Sequence, residues 1–147
     1  MKKINIALLT FLILLCGCTQ NNGHIGPIYG SWALEGISEN GNPLVLEEET
    51  VFSFQNEIVQ VIKLAEPPLP SLYRYGNFSL SDDYITLKFQ AKPTENDSHM
   101  FLTPSWLHFP ENGMPIQMEI TKLAGNNMTW ELITESGKYT YTLKRTW

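Results

Sequence analysis

Few side chains in this sequence are of types that do chemistry, and their spacing argues against catalysis. Its two cysteines, Cys16 and Cys18, both lie in the opening segment, so the rest of the chain has no thiol for a disulfide or a thiolate metal site. The three histidines, His24, His99 and His108, are scattered. His99 and His108 share one stretch with Met100 and Met114, which resembles a soft-metal donor set only in composition, because the spacing is not that of ligands. They read as loop histidines packed beside aromatics, and no metal is expected. Carboxylates cluster at Asp82-Asp83 and at Glu47, Glu48 and Glu49. An acid/base pair must face across a substrate, whereas neighbouring strand residues point to opposite sides, so Asp82-Asp83 reads as a solvated turn. No Gly-x-Ser-x-Gly elbow, His-Glu-x-x-His or phosphate-cradling glycine loop is present. No catalytic residue is nominated, the chain is not expected to be an enzyme, and no cofactor is implied.

The opening segment carries a different kind of chemistry. Lys2 and Lys3 precede an apolar run from residue 4 to 15, broken only by Asn5 and Thr10. That run is too short for a permanent membrane span and reads as a secretory signal. Its exit, Leu15-Cys16-Gly17-Cys18, resembles the lipobox of bacterial lipoproteins. The resemblance implies a signal peptide over residues 1–17, cleavage before Cys18, and a palmitate-type acyl anchor on that thiol. Residues 18–29, polar and glycine-containing (Thr19-Gln20-Asn21-Asn22-Gly23), read as a flexible tether reaching about 35 Å at most beyond Cys18. Thr19 follows the cysteine, not an aspartate of the inner-membrane-retention kind, and residues 19–22 lack an acidic run resembling a surface-export tag. Those resemblances imply the outer membrane, with the domain facing the periplasm.

About 130 residues then remain, the size of one domain able to bury a core without a staple. Losing Lys2 and Lys3 makes the formal net charge more negative than the −5 of the whole chain. Such a surface repels phosphate backbones, so nucleic acid is excluded as an expected partner.

The elements of that domain follow a period of two. Trp32 and Leu34 alternate with Ala33 and Glu35, and Phe52 and Phe54 with Ser53 and Gln55. Residues 58–64, 73–80, 84–89, 116–123, 128–133 and 139–146 continue the pattern between turn signals, the stretch Asn40-Gly41-Asn42-Pro43 reading as a turn-rich loop. The result is about eight strands in a meander, with no helical period. Residues 90–115 interrupt it. That interval holds Pro93, Pro104, Pro110 and Pro115, yet also Phe101, Leu102, Trp106, Leu107 and Phe109, which are costly to leave in water. It reads as a loop folded over the domain.

Eight antiparallel strands with one apolar face each can close into a barrel, which removes their edges. Gly30-Ser31-Trp32 opens the first strand and Arg145 lies on the last. This pattern resembles lipocalins and the wider calycin group, and the mature domain resembles small lipocalin-like lipoproteins of Bacteroidetes. The resemblance implies an all-β, eight-stranded up-and-down barrel over residues 30–147. It also implies that the Trp32 indole packs under the Arg145 guanidinium at the closed end, beside Gly30. Parity agrees, since Tyr139, Tyr141, Leu143 and Arg145 share one face.

Aromatics are the remaining binding chemistry. Tyr139 and Tyr141 are expected to line the interior, with Trp106 and Phe109 gating or plugging the mouth, and these four form the candidate ligand site. Two functions follow. The first is an envelope lipoprotein binding a small apolar or amphipathic ligand. The second is a non-enzymatic protein-interaction module, a protease inhibitor or assembly factor, acting through its loops. A cavity of several hundred Å³ or more favours the first, and a filled barrel with exposed loop aromatics the second.

Overall fold

The alternating stretches fold as strands because each presents one apolar row that only a shared interior can cover. In the computed structural model, which describes residues 26–90, 99–111 and 113–146, nine strands form. They are β1 (Gly30–Glu39), β2 (Asn42–Pro43), β3 (Thr50–Gln55), β4 (Ile58–Lys63), β5 (Leu72–Ser81), β6 (Tyr84–Lys88), β7 (Ile116–Ala124), β8 (Asn127–Ile133) and β9 (Lys138–Arg145). β2 is a two-residue stub folded back on β1. The other eight pair in chain order, all antiparallel, and β1 pairs with β9 to close the barrel. The expected loop after β1 is therefore a tight hairpin. Asn40 and Gly41 form its turn with φ of 51° and 85°, the left-handed pair that suits two right-twisted strands.

The interior is filled by alternate residues. Phe52, Val59, Val61, Ile85, Leu87, Met118, Met128, Trp130, Tyr141 and Leu143 are all completely buried. Phe52 meets Trp130 edge to face at 5.1 Å, and Phe54 meets Phe78 in the same way at 5.0 Å. β1 breaks the simple alternation. Its pairing with β9 slips between Leu34 and Gly36, so Ile37 rather than Gly36 joins Trp32 and Leu34 inside.

One end is sealed by the start of the domain. Trp32 lies opposite Arg145 in the register, and the guanidinium carbon stands 4.4 Å from the indole centroid. The indole N–H donates to the carbonyl of Ile28 at 2.8 Å. Arg145 donates to the carbonyl of Tyr29 at 2.9 Å and also to that of Pro27. The fork of donors thus ties the residues before β1 to the end of β9 while its flat face covers the indole.

This contact corrects the extent of the tether. Residues 1–25, including the expected signal peptide, Cys18 and most of the tether, lie outside the described residues. Gly26 to Tyr29 are part of the domain: Ile28 is buried, and Tyr29 packs edge-on to Phe78 at 5.8 Å. The domain therefore begins before residue 30.

Because Arg145 acts on both the indole and the preceding carbonyls, Trp32→Ala and Arg145→Ala are expected to be non-additive. The coupling in a double-mutant cycle should reach about 0.5–2 kcal/mol by urea denaturation. Strict additivity would mean that the stack contributes nothing.

Candidate functional site

The mouth of the barrel is the end opposite Trp32. It is framed by the 40–41 hairpin, the 44–49 and 64–71 loops, the 134–137 hairpin and the long connection between β6 and β7. That connection does not merely lie across the opening. Its Gln90 pairs in a parallel bridge with Leu102, and a short 3₁₀ turn, His99–Phe101, lies against β5. A second 3₁₀ turn, Ser105–Leu107, ends at His108 with φ 58° and ψ 23°. A left-handed histidine costs about 1–2 kcal/mol, and the burial of Leu107 and Phe109 on either side of it offsets that cost.

All four aromatics expected to form a ligand site lie at this mouth, but in different company. Phe109 is buried, with its ring 5.5 Å from that of Tyr141 and 6.5 Å from that of Phe89. The Tyr141 hydroxyl donates to the carbonyl of Leu107 at 2.7 Å. Burial, and secondarily the neighbouring Tyr139, push its ionisation far above the ordinary tyrosine range. Tyr139 donates to Glu39 at 2.7 Å and stacks on His108 at 5.6 Å. Three of the four thus hold the long connection in place, and their polar atoms are spent on the chain itself. Trp106 stands apart. It is half-buried beside two cations: the Arg74 guanidinium carbon at 5.5 Å and the Lys63 ammonium at 6.0 Å from its centroid.

Open space lies both at the mouth, where a recess of about 850 Å³ is lined by His108, Phe109 and Ile133, and outside the barrel. A groove of about 620 Å³ runs where β5 and β6 diverge, lined by Ile58, Tyr75, Gly76, Phe89, Met100 and Phe101. Tyr75 and Phe101 face each other at 6.3 Å. Gly76 makes the site possible. A Cβ there would come within 2.7 Å of the Lys88 carbonyl oxygen and 2.8 Å of the Phe89 ring. A glycine inside a strand pattern is the signal that marks such a close approach. Met100 and Phe101 were visible as apolar loop residues, but nothing in their spacing placed them against β5. A smaller recess of about 270 Å³ lies at the mouth between residues 45–48 and 106–108. Lys63 and Glu48 pair across it at 3.1 Å.

The carboxylates singled out in the sequence are solvated. Asp82 and Asp83 occupy the exposed β5–β6 turn, with Asp82 at φ 49°, and Glu47, Glu48 and Glu49 are exposed. Among the described residues no three His, Cys, Asp or Glu side chains converge on a metal-sized site.

A family model described as a lipocalin-like domain matches residues 13–146. The chain belongs to the lipocalin-like domain family. Solved structures similar to it include two from Bacteroides species. One is a lipocalin-like protein from Bacteroides uniformis ATCC 8492, 19% identical, with a TM-score of 0.60, covering 82% of this chain and 99% of that one. The other is an uncharacterized protein from Bacteroides eggerthii DSM 20697, 14% identical, with a TM-score of 0.59, covering 80% and 98%. No curated protein sequence matches the chain. At these identities the likeness is one of fold. What such a barrel binds depends on the mouth and the groove, not on the seam.

Proposed function

We propose that this lipocalin-like protein binds a small apolar or amphipathic molecule, and that it does so in the groove between β5, β6 and Phe101. The groove's size and lining carry the reading. About 620 Å³ is within the range of small-molecule sites, and aromatic and aliphatic side chains line it around a few polar groups. The barrel centre is not the binding space, because its own side chains, Leu107 and Phe109 fill it. The Leu15-Cys16-Gly17-Cys18 resemblance supports a lipid-anchored location in the bacterial envelope, with the domain facing the periplasm. No chemistry on the ligand is required of the protein.

A neutral fluorescent probe such as N-phenyl-1-naphthylamine should bind saturably. Phe101→Ala should weaken that binding about tenfold, roughly 1.4 kcal/mol, by removing one wall of the groove. Phe101 is 40% exposed, so the variant should stay folded. Absence of saturable binding to the wild type would defeat the proposal.

The second reading, an interaction module without a small ligand, rests on a different observation. Val45 and Leu69, on two loops of the mouth, are 90% and 67% exposed. A negative probe titration would favour this reading.

A further inference from the structure

The outer face of β3, β4 and β5 differs from the rest of the barrel exterior. Its outward residues on β3 and β4 are Val51, Ser53, Gln55, Ile58, Gln60 and Ile62, and β5 continues the face with Tyr73, Tyr75 and Asn77. None of these carries a charge, whereas the outer faces of β7, β8 and β9 hold Glu119, Glu131, Lys138 and Lys144. The surface of a soluble domain is about a quarter to a third charged, so a neutral face across adjoining strands suits a ligand better than bulk water.

The register lines up the hydrogen-bonding groups of this face. Ser31, Ser53, Gln60 and Tyr75 lie opposite one another in succession across β1, β3, β4 and β5. The Ser31 and Ser53 hydroxyls share a hydrogen bond of 2.9 Å, and Gln60 Nε2 donates to the Tyr75 hydroxyl at 2.7 Å. The Tyr75 oxygen therefore accepts, and its own proton has no acceptor among the described residues. A depression of about 350 Å³ opens over this row, lined by Ser53, Gln55, Asn56, Ile58, Gln60 and Tyr75. Asn56 enters it from the β3–β4 turn, at φ 54°, and its amide oxygen has no donor among the described residues. Ile58 and Tyr75 also line the groove, so the polar depression and the apolar groove adjoin across these side chains. Lys88 lines the groove from β6, on the other side of β5 from the depression.

We propose that the depression holds the uncharged, hydroxyl-rich head of an amphipathic ligand whose apolar part lies in the groove against Phe101, a glycosyl or other polyol head being the class that fits. This ligand class rests on the groove reading for its apolar part and adds the head. A hydroxyl both donates and accepts, which matches side-chain amides and hydroxyls that do the same. An ionic head would give up its hydration with no counter-charge in the depression, and a purely apolar one would strand these polar groups. Such a head can arrive as a free sugar or joined to an apolar chain.

The test titrates the purified protein calorimetrically with octyl glucoside, octanol, octyl sulfate and free glucose, the amphiphiles below their micellar concentrations. Octyl glucoside should bind about tenfold more tightly than octanol or octyl sulfate. Competition by glucose would show that the depression takes free sugars as well, and its absence that the head is held only with its chain; the site stands in either case. Asn56→Gly keeps the left-handed turn and Gln60→Met keeps the side-chain length. Each should weaken octyl glucoside several-fold and leave octanol and N-phenyl-1-naphthylamine unchanged. Phe101→Ala should instead weaken octyl glucoside and octanol by the same factor. Octyl glucoside binding no tighter than octanol, or a preference for octyl sulfate, would overturn the head assignment while N-phenyl-1-naphthylamine binding still upheld the groove. A preference that survives both polar variants would overturn the assignment to this depression, as would failure of every amphiphile and of glucose to bind. A wild type that ignores N-phenyl-1-naphthylamine but keeps its preference for octyl glucoside would defeat the groove reading and leave the head site standing.

Discussion

Replacing Phe109 with alanine is expected to cost about 3–5 kcal/mol of folding stability, the range for deleting a buried phenylalanine from a packed core. Phe109 belongs to a connection between strands, and a ring on a mobile lid would cost far less, about 1 kcal/mol or below. The geometry favours the larger figure. The ring is 4% exposed, lies between Phe89 and Tyr141, and sits two residues from Leu107, which is completely buried. Tyr141→Phe gives a smaller companion effect. It removes the 2.7 Å bond to the Leu107 carbonyl and should cost about 1–2 kcal/mol with the ring retained. Urea denaturation of both variants, read with an unchanged m-value, checks the pair. A Phe109→Ala loss under 1 kcal/mol would restore the connection to the role of a lid.

A second large effect is expected at Cys18. Under the envelope proposal, Cys18→Ser should abolish incorporation of a fatty-acid analogue and release the protein from the membrane fraction. The effect is all-or-none because one thiol carries the whole attachment: among the 147 residues the only other cysteine is Cys16, which leaves with the signal. Equal labelling of wild type and variant would remove the anchor from the proposal. Digestion of the domain by protease added to intact cells would instead remove its periplasmic orientation.

The strands were legible in the sequence because each carries its own evidence, an apolar row of period two between turn residues. Gly30, Trp32 and Arg145 were legible because a glycine, an indole and a cation at opposite ends of a meander become meaningful once the meander closes. Three things were not. The slip between Leu34 and Gly36 depends on how β9 pairs, so it could not be read from β1 alone. The apolar residues of the long connection declared that they must be buried, but not which surface would bury them. Phe101 went outside β5 while Phe109 went into the barrel. The inward rows of Lys63 and Arg74 were hidden because each looks, taken singly, like a solvated strand end. Only the register, with Trp106 folded over both, shows that they share one corner of the mouth.

The seam between β1 and β9 also governs when the fold can exist at all. It pairs Trp32 with Arg145 and Glu39 with Tyr139, so the first strand waits for nearly the whole chain before its second edge is covered. Until then the growing meander exposes unpaired backbone at both flanks, and the aromatic filling has no wall on one side. Ring closure over more than a hundred residues is entropically slow, which places this barrel among slow-folding topologies. A chain shortened by a single strand at its C-terminal side would lose the Arg145 clamp and the ring together. It would be an open, sticky sheet and not a smaller barrel, and cellular proteases and chaperones would meet it as a misfolded species.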